Sequence, residues 1–210
     1  IAVPAIAECE FEFDNFIDIE WSEYDPFETS DSRIQITIQI RNTGTEQCDG
    51  YITASKGLEN DPNYDRKLQG PSESLSYQLY ANKNIVAARV LKMAPDLQTN
   101  KDVLNFSNLN SGNTKNKKMA VSIPVSQLVE AGTYEDTVEF YLYSGNFTNT
   151  PDPSTLQDQR SIQISALVNK YVYLDTGVGS IGNSLSIDLG EMEANKQDSF
   201  EVVVKSNSNY

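Results

Sequence analysis

The sequence predicts an all-β protein, a sandwich or barrel of short strands, and three observations carry that prediction. Ser, Asn, Thr, Tyr, Val and Ile are plentiful while helix formers are thin, a balance that favours strands joined by polar turns. Several stretches alternate apolar and polar residues with the period of a strand that buries one face. Turn chemistry recurs every ten residues or so, the spacing of a sandwich or barrel. At 210 residues the chain is long enough for a sizeable core in one large all-β domain, or in one domain and part of another.

Taken in order, residues 33–40 read RIQITIQI, with Ile34, Ile36, Ile38 and Ile40 alternating against Gln35, Thr37 and Gln39. Residues 42–44 are turn chemistry ahead of Cys48, 51–55 a short strand, and 58–65, containing Pro62, a loop. Residues 74–80 alternate through Leu75, Tyr77 and Leu79; residues 119–125 through Met119, Val121, Ile123 and Val125; residues 137–143 through Val138, Phe140 and Leu142. Residues 84–117 are less regular. Their first part, 85–97, is apolar with room for a helical turn, and 105–116 is rich in Asn and Ser. Connections of that length are usually functional or disordered. Residues 146–158, with Pro151 and Pro153, form a further connection. Residues 160–166 alternate again through Ile162, Ile164 and Ala166, and 184–189 and 199–204 read as two more strands.

Charge and composition exclude several function classes. Thirty acidic residues stand against sixteen basic ones, a net charge of -14, so the surface repels a phosphate backbone and no nucleic-acid partner is expected. Histidine is absent, which removes Ser-His-Asp triads, Cys-His dyads and His-ligated metals. No catalytic, cofactor-binding or metal residues are expected. The ten acidic groups of residues 8–31, which include no basic one, read as a solvated face. Nothing singles out two of them as a glycosidase pair. Asp61, Asn63 and Asp65 begin like a calcium loop, but Arg66 stands where the turn glycine belongs. The GVGSIG run at 177–182 lacks the strand–turn–helix context of a dinucleotide fingerprint. Asn105-Phe106-Ser107 and Asn146-Phe147-Thr148 are glycosylation sequons.

Residues 1–7, IAVPAIA, read as the tail of a secretory signal with a small-x-small cleavage site, or as a short apolar strand. On the signal reading the mature chain starts at Glu8 and matures in an oxidising compartment, where Cys9 and Cys48 can pair. Residues 208–210 follow directly on a strand-like run, which reads as a fragment of a longer protein.

A larger pattern then emerges. Cys9 is followed by Tyr24-Asp25-Pro26, the alternating strand and Cys48. Asp65-Arg66-Lys67-Leu68 precedes Leu75-Ser76-Tyr77-Gln78-Leu79-Tyr80. Ile123-Pro124-Val125 and Gln127 lead to Ala131-Gly132-Thr133-Tyr134-Glu135-Asp136-Thr137-Val138. This order resembles the spore coat protein U domain family over about residues 8–143. Despite the name, that family consists largely of subunits of archaic chaperone–usher pili. The acidic start, the lack of the usual Trp-Gly-Asp-Gly stretch and the run 85–116 depart from the family pattern. Residues 186–190 and 202–210 resemble the opening strands of a second pilin-like domain.

The resemblance implies an immunoglobulin-like Greek-key sandwich that lacks its last strand. A periplasmic chaperone fills the gap, and the N-terminal extension of a neighbouring pilin subunit then replaces it by strand addition at the outer-membrane usher. On the signal reading only Glu8 precedes Cys9, so no donor segment is expected. Residues 160–166, with Ile162, Ile164 and Ala166, are expected to complete the domain from within. The expected layout is a signal tail at 1–7, a self-completed sandwich at 8–166 and the start of a second domain at 167–210. The expected function is a secreted, non-enzymatic tip adhesin at the cell surface, needing no cofactor and attaching to a host or abiotic surface. Its expected receptor segment is 84–116, with Val103, Leu104 and Phe106 as projecting contacts. A stalk or adaptor pilin, a carbohydrate-binding β-sandwich and a spore or cyst coat protein are the alternatives.

Overall fold

A computed structural model of the chain describes residues 8–148, 151–175 and 203–208. It contains the strands β1 (Phe11–Asn15), β2 (Ile19–Tyr24), β3 (Ser32–Asn42), β4 (Cys48–Ala54), β5 (Arg66–Gln69), β6 (Ser74–Tyr80), β7 (Leu104–Leu109), β8 (Thr114–Ile123), β9 (Gly132–Ser144), β10 (Leu156–Val168), β11 (Val172–Asp175) and β12 (Val203–Ser206). Among the described residues the helical content is two 3-10 turns, Ala87–Arg89 and Pro153–Thr155. The first falls inside the apolar 85–97 stretch where a helical turn was expected.

β1 to β10 form one curled, mostly antiparallel sheet in the order β1-β3-β8-β6-β5-β9-β10-β2, and β4 branches from β9 to pair with β7. The sheet is mixed because β10 runs parallel to β2 and antiparallel to β9. Folding it over encloses a single core in which Ile38, Ile40, Ile52, Leu68, Leu75, Leu79, Val121, Val138, Phe140 and Leu142 are fully buried. These are the inward positions of strands whose polar residues alternate to the other face, so a one-residue slip would expose the whole set. β11 and β12 pair as a separate two-stranded ribbon. The Asn207 side chain ties that ribbon to the main body, accepting from the Tyr171 amide at 2.7 Å and donating to the Asn169 carbonyl at 2.7 Å.

Several expectations need correction. The acidic segment 8–31 is not only a solvated face: it forms β1 and β2. Its Phe11, Phe13, Phe16, Ile19, Trp21 and Tyr24 are buried while Glu8, Glu10, Asp14, Asp18, Glu20 and Glu23 face water. Charge dominated the composition and hid the alternation. Residues 84–117 are not one irregular connection, because β7 and the first half of β8 lie within them. Ile34 and Ile36, expected in the core, are only partly buried against it. The signal reading of 1–7, the strand expected at 184–189, the run 177–182 and residues 199–202 lie outside the described residues.

Candidate functional site

The functional candidate that the fold builds is the seat of β10. Register pairs join β10 to β9 from Leu156 opposite Tyr143 through to Val168 opposite Gly132. On its other side Ile164, Ser165 and Ala166 run alongside Ile19, Glu20 and Trp21 of β2. Ile162, Ile164, Ala166 and Val168 all point into the core with at most 2% exposure, while Ser161, Gln163 and Leu167 face outward. Two-residue alternation places the first set against Phe16, Ile19, Trp21, Val138 and Phe140 in one cluster. Polar contacts fix the ends. Arg160 donates to the Phe13 carbonyl at 2.9 Å and to the Phe16 carbonyl at 3.4 Å, with its guanidinium over the Phe13 ring. Asp158 accepts from the Phe13 amide at 2.8 Å, and Asp18 from the Gln163 amide at 2.8 Å. The strand therefore supplies core, ladder and caps together, and its removal would open both the β9 edge and the aromatic cluster to water.

The body beside that seat is braced by a buried polar network. Arg66 is fully buried at the head of β5. Its guanidinium donates to the Ser55 carbonyl from two nitrogens, to the Leu91 carbonyl at 2.7 Å and to Gln78 Oε1 at 2.6 Å. Desolvation pulls its pKa down to about 10, opposed by Tyr77, Tyr64 and Asp136. Asp136 accepts from Tyr77 Oη at 2.6 Å and from the amides of Leu58 and Thr137. Two residues earlier on the same strand face, the Tyr134 hydroxyl donates to the Glu130 carbonyl at 2.8 Å. Gly70 lies against the Tyr134 ring so closely that a β-carbon there would run into it. Arg66, Tyr77 and Asp136 stand in the sequence as parts of separate motifs, and their linkage is not legible there because it depends on strands far apart in the chain. One available signal was Arg66 itself, two residues before inward Leu68 and so on the buried face of β5.

Cys9 and Cys48 are joined by a disulfide with Cα atoms 5.9 Å apart, tying the residue ahead of β1 to the start of β4. The three side chains expected to project for a receptor do not. Val103 is buried with Tyr51, Leu97 and Tyr143 in a small cluster on the outer face of β4 and β9. Leu104 and Phe106 enter the main core, where Phe106 meets Phe11 edge-on at 5.1 Å. Phe106 needs Gly50 opposite it, because a β-carbon at that position would strike its ring. The physical reason for the correction is pairing: β7 joins β4, and alternation turns Leu104 and Phe106 inward. The large apolar side chains of the segment that are exposed are Ile85 and Val86.

The family model described as Spore Coat Protein U domain matches residues 3–140. No curated protein matches the chain in sequence. Among solved structures, CfaE, the adhesive subunit of CFA/I fimbria of enterotoxigenic Escherichia coli, is 12% identical with a TM-score of 0.46 over 77% of this chain and 49% of its own. The CsuC–CsuE chaperone–tip adhesion subunit complex of Acinetobacter baumannii is 10% identical, with a TM-score of 0.45 over 86% and 65%. The CooA pilin subunit of enterotoxigenic E. coli is 11% identical, with a TM-score of 0.41 over 77% and 98%. This chain thus spans about half the length of CfaE.

Proposed function

Because the chain belongs to the Spore Coat Protein U domain family, we propose that it is a non-enzymatic subunit of a chaperone–usher pilus, exported through the periplasm to the cell surface, and that it serves as a tip adhesin. The observation that carries the tip reading is β10. A pilin that awaits a donor strand has a vacancy beside its penultimate strand. Here residues 156–168 of the same chain run antiparallel to β9 and parallel to β2, with Ile162, Ile164 and Ala166 in the core. A domain that completes itself has no use for a neighbour's strand at that position.

Two features support an immunoglobulin-like Greek-key reading of the sheet. A last strand antiparallel to one neighbour and parallel to the other is the arrangement of a closed sandwich edge. The Tyr134 hydroxyl on the Glu130 carbonyl fits the tyrosine corner of that architecture. We draw the first domain as 8–166, ending within β10, and 167–210, with the β11–β12 ribbon, as the opening of a second pilin-like domain. That second domain would carry the vacancy used by the periplasmic chaperone, the outer-membrane usher and the neighbouring pilin subunit.

The test is deletion of residues 156–168 from the full chain. The expected result is aggregation on expression alone, with solubility restored by a periplasmic chaperone or by a synthetic peptide of that sequence. Trp21, the one tryptophan of the chain, is 4% exposed and lies beside β10, so its emission should shift to the red on deletion and return on peptide binding. A deleted chain that stays monomeric with unshifted emission overturns the reading.

A further inference from the structure

The chain carries thirty acidic residues, yet one cleft of about 450 Å³ has none in its lining. It lies between β7 and the first half of β8, beyond the point where β6 pairs with β8. Lys115 and Lys117 occupy alternate positions of β8, opposite Ile40 and Ile38 of β3, so both turn toward the inside of the sandwich where it opens. Both are half-buried. Among the described residues the salt bridges engage Arg41, Lys56, Lys67 and Lys92, and neither Lys115 nor Lys117 takes part in one. Lys115 donates to the Ser107 carbonyl. Burial, and then the ammonium of Lys115, holds the Lys117 pKa below its ordinary value. Two cations held together, partly out of water and without counter-charge, are stabilised by an anion seated between them.

The remaining lining narrows the kind of anion. Asn100, Asn105 and Asn146 line the walls, and a carboxamide has both donor and acceptor capacity. Asn105 is steadied by donating to the Asn100 carbonyl at 2.9 Å. Phe147 closes one side, packed edge-on against Tyr51 with ring centroids 6.0 Å apart. The volume lies within the range of small-ligand sites. The net charge of -14 repels an extended polyanion, so the ligand is a small anion presented singly.

We propose that this cleft binds an acidic saccharide. The carboxylate lies between Lys115 and Lys117, the hydroxyls meet the carboxamides of Asn100, Asn105 and Asn146, and the Phe147 ring covers an apolar face of the sugar. The proposal deepens the adhesin reading and rests on it for its purpose, since it names the class of receptor.

The test titrates the full chain, made in a host that does not glycosylate Asn105 or Asn146, with 3′-sialyllactose, lactose and inorganic sulfate by isothermal calorimetry. Sialyllactose should bind at least about tenfold more tightly than lactose or sulfate, and its affinity should fall as salt rises. The double variant K115Q/K117Q should lose about tenfold or more in affinity with an unchanged thermal midpoint, while K170Q on the exposed surface binds as the parent does. If the double variant unfolds, K117Q alone and F147A carry the same expectation. No binding of sialyllactose, equal binding of lactose, or equal binding of sulfate, an adventitious ion only, overturns the proposal, as does an unaffected variant. The readout needs no fibre. A chain that depends on β10 and fails to bind sinks this inference alone, and one that binds without depending on β10 sinks the pilus reading alone.

Discussion

Arg66 shows how one residue can decide whether the curled sheet closes. A guanidinium out of water is tolerated only when its hydrogens are matched and its charge is offset. Four hydrogen bonds to Ser55, Leu91 and Gln78 and the Tyr64 ring at 5.0 Å meet that need. Arg66→Ala would strand the buried Leu91 carbonyl and the bonds at Ser55 and Gln78, and should cost about 3 kcal/mol or more in urea unfolding. Arg66→Lys should recover only part of that, because an ammonium cannot span the same fork. Alkaline pH tests the same region. Burial raises the pKa values of Tyr64 and Tyr77 above the ordinary tyrosine value of 10.0. The unfolded chain therefore releases these protons first. Stability from these groups is complete below pH 10 and is lost as pH rises beyond it. Arg66, lowered to about 10, works in the opposite sense between there and its ordinary value of 12.5, but it is one group against several raised tyrosines. The thermal midpoint should therefore fall above about pH 10, with tyrosinate absorbance appearing at the unfolding transition; a midpoint that rises there contradicts the assignment.

At the scale of the element, β10 makes the sharpest contrast between neighbouring residues. Ile164 is fully buried and Gln163 exposed. Ile164→Ala should cost about 2–5 kcal/mol through lost burial and a residual cavity. Gln163→Ala should stay within about 0.5 kcal/mol, because only its backbone amide is engaged, by Asp18. Equal effects in chemical denaturation would mean that β10 is not docked in this register. β4 and β7 make a second case. Gly50→Ala would press a β-carbon into the Phe106 ring and the Tyr143 carbonyl, and overpacking of this kind costs about 1–3 kcal/mol. The loss should appear in hydrogen exchange of β4 and β7 before that of β9 and β10.

For the molecule as a whole, the Cys9–Cys48 bridge is the one covalent tie across the sheet. It closes a loop of sequence separation 39 that contains β1, β2 and β3, so it restrains these three strands in the unfolded state. Loop-closure entropy for that length is worth about 4 kcal/mol. Reduction should lower the thermal midpoint by a corresponding margin and should loosen β1 and β2 first, because among the described residues β2 pairs only with β10 and β1 only with β3. A midpoint unmoved by reduction would show that the sheet holds those strands without the bridge.

Alternation is a local property, written into consecutive side chains, and for that reason the sequence alone determined the all-β class and the strands now called β3, β4, β6, β9 and β10, with the second half of β8. It also determined that residues 160–166 carry a strand with Ile162 and Ile164 on one face. β1 and β2 were legible in principle, since Phe11 and Phe13 alternate and Ile19 and Trp21 do the same, but ten acidic groups drew attention to charge. Only the tertiary structure decided the rest. Val103, Leu104 and Phe106 were expected to project; pairing of β7 with β4 turned Leu104 and Phe106 into the core, and Val103 packs in the small cluster on the outer face. Arg66, Tyr77 and Asp136 come from three strands, and Lys117 meets Phe147 across one cleft. Such encounters are set by how the sheet curls and which edges meet, and no stretch of neighbouring residues encodes them.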